Sequence, residues 1–187
     1  MTVAIRGLAV LLAALAVPAA ASVPTDDQVR RLQQTLGFDN AMDRVLDEKM
    51  DEQPALTELS ATERACIVGE LKPVMKRKLD GAFKQLFGDE QTAGAWLAFA
   101  ETDGGRTLMA FVRDGVVAKL EERPAPSPEA ALGGMPLEAM GEVAAFMSTP
   151  EAKVLEREFP DVDMDDAEMD AFMAAVADTC GIDEARL

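Results

Sequence analysis

The groups in this chain able to do chemistry are 34 carboxylates, 18 basic side chains, 2 cysteines and 11 methionines; histidine and tyrosine are absent. Without histidine there is no Ser-His-Asp or Cys-His nucleophile and no His-ligated zinc or haem. The densest carboxylate run is Asp161-Val162-Asp163-Met164-Asp165-Asp166-Ala167-Glu168-Met169-Asp170. Asp161, Asp163 and Asp165 fit positions one, three and five of a calcium loop, but Asp166 stands where glycine is needed and Phe172 where the bidentate glutamate belongs. That mismatch excludes a standard EF-hand. Capping of the last helix by Asp163 or Asp165, with acids in its first turn complementing the dipole, explains the run better. Glycoside hydrolysis needs only two suitably spaced acids, yet among 34 acids some pair will meet that spacing by chance. Sugar sites also favour aromatic platforms, and Trp96 lies on a stripe with Leu97 and Ala100 that reads as core. No catalytic residue, metal ligand or cofactor is expected.

Cys66 and Cys180 are an even pair, too far apart in sequence for a CxxC redox motif. In an oxidising compartment one disulfide between them is expected, tying an early helix to the C-terminus; the alternative is two separately buried thiols acting as small hydrophobes. Methionine crowds the C-terminal third. Met140, Phe146, Met147, Met169, Phe172 and Met173 are candidates for an apolar groove, since flexible thioethers suit adaptable binding surfaces as well as irregular cores.

Net charge is -16, which argues against nucleic acid as a partner because phosphate binding needs a basic face. The charge is uneven: from Leu137 onward there are 14 acidic and 3 basic residues, against 20 and 14 from Ser22 to Pro136. An acidic end can steer a basic partner.

At the N-terminus, Arg6 precedes an apolar run from Gly7 to Val17 and then Pro18-Ala19-Ala20-Ala21-Ser22. This pattern predicts a secretory signal peptide over 1–21, cleaved after Ala21. The run is short for the ~30 Å of a bilayer core, and no other segment has spanning length, so the mature chain is expected not to cross a membrane. A periplasmic or secreted protein follows.

Apolar spacing is helical almost throughout. Val29, Leu32 and Leu36 form a first stripe ended by Gly37; Asp39 can cap a second carrying Met42, Val45, Leu46 and Met50. Ser60 and Glu63 make a capping-box pattern before a long stripe from Ile67 to Leu86, closed by Gly88, with Pro73 predicting a kink or break inside it. Trp96, Leu97 and Phe99 mark the next helix, and Leu108, Phe111, Val112, Val116 and Leu120 the one after. Residues 122–136 are rich in proline and glycine, an internal connection in which Ser127-Pro128-Glu129 can start a brief turn. No strand alternation is evident. The expectation is all-α: one domain over 22–187, a bundle of six to eight helices.

Two segments of the bundle look alike. Ala98-Phe99-Ala100-Glu101-Thr102-Asp103-Gly104-Gly105-Arg106-Thr107-Leu108 matches Ala145-Phe146-Met147-Ser148-Thr149-Pro150-Glu151-Ala152-Lys153-Val154-Leu155 at a constant offset of 47. Each predicts an αα-hairpin: a helix ending near an aromatic, a polar turn, then a small residue opening the next helix. Thr149-Pro150 reads as a cap followed by a first-turn proline.

The second copy, with Phe159-Pro160 after it, resembles the bacterial exported proteins catalogued as domain of unknown function 2059. Phe146, Thr149, Pro150, Lys153, Leu155 and Pro160 match that family's pattern, whereas Met147 stands where a second aromatic is usual and Ala152 where glycine is usual. The earlier copy carries the glycine, as Gly105 before Arg106, but lacks the proline. The resemblance covers about 30 residues, implies an exported all-helical protein, and carries no catalytic residues over. Together these readings point to a non-enzymatic periplasmic or envelope-associated interaction protein. The alternatives are a carrier of a small apolar ligand or acyl chain in the Met-rich groove, and a carboxylate-based or calcium-dependent enzyme.

Overall fold

The computed structural model describes residues 22–38, 41–46, 56, 58–120, 123–129 and 133–182. Residues 1–21, where the sequence predicts a signal peptide, and Asp39 and Met50 lie outside them. Every regular element described is helical, in the six-to-eight-helix arrangement expected: α1 (Asp26–Thr35), a helical stretch at 41–46, α2 (Ala61–Phe87), α3 (Glu90–Ala100), α4 (Asp103–Leu120), α5 (Leu137–Met147), a 3-10 helix (Glu151–Glu156) and α6 (Asp166–Cys180).

Helix ends lie where the polar residues place them. Ser60 and Glu63 cap α2 reciprocally, Asp165 and Glu168 do the same for α6, and Thr25 with Gln28 for α1. Gly37 closes α1 at φ 76°, where an added Cβ would also lie 2.4 Å from the Arg113 Cγ. Pro73 does not break α2, which continues through it to Phe87. Packing of the helix on both sides of the proline outweighs the lost donor: Ile67 before it and Leu79 and Phe83 after it are all buried.

The main core gathers Val29 and Leu32 of α1, Leu79, Phe83 and Phe87 of α2, Ala93, Trp96, Leu97 and Phe99 of α3, Met109 of α4 and Val154 of the 3-10 helix. A smaller cluster of Leu56, Leu59, Ile67, Val176 and Ile182 joins the start of α2 to the end of α6. The predicted disulfide lies at its edge: Cys66 and Cys180 are bridged, with Cα atoms 5.8 Å apart. Twelve residues further along α2, Lys78 donates to the Glu168 carboxylate at 2.6 Å. Residue 66 therefore faces 180 while 78 faces 168, so α6 runs antiparallel to α2 and is pinned at both ends.

Candidate functional site

Helices α3 and α5 are each 11 residues long and start 47 positions apart, Glu90 against Leu137. The polar turns leaving them have the same geometry. In the first, the Glu101 N–H donates to the Ala98 carbonyl and the Thr102 N–H to the Phe99 carbonyl; in the second, Ser148 donates to Ala145 and Thr149 to Phe146, with the same distances of 3.2 and 2.9 Å. Both threonine hydroxyls turn back to donate to the phenylalanine carbonyl, at 2.9 and 2.7 Å.

The two copies are locked face to face. Phe99 and Phe146, equivalent residues, stack with ring centroids 4.0 Å apart, and Trp96 meets Phe146 edge-on at 4.9 Å. Trp96, buried as its stripe predicted, donates its indole N–H to the Glu151 carbonyl of the second turn at 2.8 Å. In return, the Gly104 N–H of the first turn donates to the Glu142 carboxylate at 2.7 Å. Positions 104 and 151 are equivalent, so each turn is held by a side chain from the other copy's helix.

Beyond the turns the copies diverge. In the first, the Thr102 hydroxyl also accepts from the Gly105 N–H, and α4 proceeds for 18 residues. Gly105 sits so close that a Cβ there would lie 1.7 Å from the Phe99 carbonyl oxygen. Its equivalent, Ala152, has that Cβ and cannot take the same path. The second return arm is accordingly a six-residue 3-10 helix, in which the Lys153 backbone N–H donates to the Pro150 carbonyl; Pro150 takes the cap position, with no side-chain cap, and the Thr149 hydroxyl points back to Phe146. The second predicted αα-hairpin thus keeps its first helix and turn and replaces the second helix.

The six groove candidates do not line one groove. Met140, Phe146 and Met147 belong to α5, which packs on α4 and the 3-10 helix; Met169, Phe172 and Met173 belong to α6, which packs on α2. Phe146 is in the aromatic lock, and Phe172 packs on the small core beside Cys180. Phe172 also borders an open cleft of about 490 Å³ between α2 and α6, with Val74, Arg77, Lys78 and Glu168 around it. Sequence periodicity could place each residue on its helix; it could not tell which helices face each other.

In the acidic run, the Asp163 N–H donates to the Asp161 carboxylate and Asp165 caps α6. Among the described residues no group of three or more acidic or sulfur side chains converges as a metal site would. The carboxyls of Glu168 and Asp26 are held below their usual range, in each case chiefly by a lysine hydrogen bond, from Lys78 and Lys84. Both are thereby kept ionised, the opposite of what a general acid requires.

The feature that sequence reasoning found only in part, through Met140 and Met147, is the outer side of α5. Leu137 is 84% exposed, Met140 39%, Met147 46%, and Leu155 of the adjoining 3-10 helix 51%. Gly141, Ala144 and Ala145 on the same side are exposed too, and Glu138 is the one charged residue there. The inner side carries buried Ala139 and half-buried Val143 and Phe146. The outer side's signal in the sequence is the absence of charge from Val143 to Met147. No protein-family model matches the chain, and no curated protein or solved structure matches it.

Proposed function

We propose that this is an exported protein of the bacterial envelope that acts by binding another protein, without catalysing a reaction. The observation carrying this reading is the exposed apolar side of α5, continued by Leu155, because solvated apolar patches of this kind mark interaction surfaces. Export is supported by the N-terminal pattern of Arg6, an apolar run and Ala19-Ala20-Ala21, and by the likeness to the family named domain of unknown function 2059. Cleavage after Ala21 would leave Ser22 first, and Ser22 is already anchored: its carbonyl accepts from the Glu90 N–H and its hydroxyl donates to the Glu90 carboxylate, both at 2.7 Å. The disulfide fits an oxidising compartment. Among the described residues no helix is long and apolar enough to cross a membrane.

A carrier would need an enclosed apolar cavity of several hundred Å³. The cleft between α2 and α6 is open and flanked by Arg77, Lys78 and Glu168, which favours the interaction reading. The test is photo-cross-linking in cells from position 137, with the purified protein weighed intact. A discrete protein adduct and a mass starting at Ser22 are expected. Retention of residues 1–21, or a bound small apolar molecule in place of an adduct, would overturn the proposal.

A further inference from the structure

The internal repeat shows what belongs on the exposed side of α5. Shifting by 47 residues, Met140, Gly141, Ala144 and Met147 correspond to Ala93, Gly94, Leu97 and Ala100 of α3. In the first copy that side is covered. Ala93 is 0% exposed and Leu97 6%, because α1 packs along α3 with Val29 and Leu32 in the shared core. Even the small residue is matched: a Cβ on Gly94 would meet the Gln28 side chain of α1, and Gln28 donates to the Glu90 carbonyl at 3.0 Å. In the second copy Met140 and Met147 are exposed, and a Cβ on Gly141 would meet nothing within 4 Å. The chain supplies α1 to one copy; among the described residues no helix packs on the equivalent side of the other.

We infer that the outer side of α5 is the docking site for an amphipathic helix of another protein, seated on Met140, Ala144 and Met147 as α1 is seated on Ala93, Leu97 and Ala100. This deepens the interaction reading above and rests on it. The geometry asks for apolar residues spaced like Val29, Leu32 and Leu36, with a close approach over Gly141. Charge selects the sign of the partner. The chain carries -16, and residues 137–187 alone have 14 acidic groups against 3 basic ones. A cationic helix would be steered toward this half, and a second copy of the chain would be repelled from it. Methionines at two of the contact positions suit a surface that adapts to the incoming side chains.

The probe is a labelled synthetic helix with the sequence of residues 26–36, carrying Asp26→Lys and Asp27→Lys and stapled, because so short a peptide is not helical alone. Fluorescence anisotropy against the intact protein should show saturable binding. The double variant Met140→Gln, Met147→Gln alters exposed residues, preserves charge and side-chain length, and should weaken binding at least tenfold with an unchanged melting temperature. A peptide also carrying Val29→Gln and Leu32→Gln should not bind. Equal binding by the double variant would show attraction by charge alone and overturn the site, leaving the cross-linking result to judge the interaction reading separately. A dimer in sedimentation that the double variant abolishes would overturn it in favour of self-association. Uptake onto phosphatidylcholine vesicles abolished by the same variant would overturn it in favour of a lipid surface.

Discussion

At the residue scale, two glycines of α4 should respond oppositely to the same change. Gly105→Ala puts a methyl 1.7 Å from the Phe99 carbonyl oxygen, backbone that cannot swing aside, and should cost about 2–3 kcal/mol in urea unfolding. Gly115→Ala, inside the same helix with nothing within 4 Å, should gain about 0.5–1 kcal/mol through backbone entropy. Equal effects would refute the role given to Gly105. Glu168 offers a second test, in pH. Lys78, and then the Asp165 N–H, hold its carboxyl below the ordinary range. A lowered folded-state value means stability that is complete above the unfolded glutamate value of about 4.3 and is lost as pH falls through the folded one. Glu168→Gln should therefore be less stable than wild type at neutral pH, with the gap closing in acid melts. A gap independent of pH would mean that packing, not charge, joins this pair.

At the element scale, α6 packs chiefly on α2 and stands apart from the main core. Between its pinned ends its one fully buried residue is Val176, in the small cluster, whereas α3 sits in the main core. The disulfide closes a loop with sequence separation 114, for which chain entropy gives about 4–5 kcal/mol at most. Reduction, or Cys66→Ser, should lower the melting temperature clearly. Hydrogen exchange should then quicken in α6 while the amides of α2 around Phe83 stay protected. Uniform loss of protection would show one cooperative unit instead of two. The 3-10 helix makes the same point about local causes: with Ala152 in place of glycine, it packs Val154 into the core as a short arm where the first copy has the long α4.

For the whole molecule, the sequence alone was enough for the helical class, most helix ends and the cysteine pairing. The helix ends depend on neighbouring residues: Ser60 with Glu63, Asp165 with Glu168, a glycine after α1 and after α2; the cysteines pair across a separation of 114, and that pairing was legible because they are the chain's two cysteines. The 47-residue repeat was legible because like sequences make like turns. What the tertiary structure alone decided is which surfaces meet. It stacked Phe99 on Phe146, sent the methionine groups of α5 and α6 to different neighbours, carried α2 through Pro73, and left one side of α5 bare while α1 covers its counterpart. The physical reason is that apolar periodicity records that a helix face avoids water, and the hydrophobic effect is non-directional, so the pattern does not say which face will cover it.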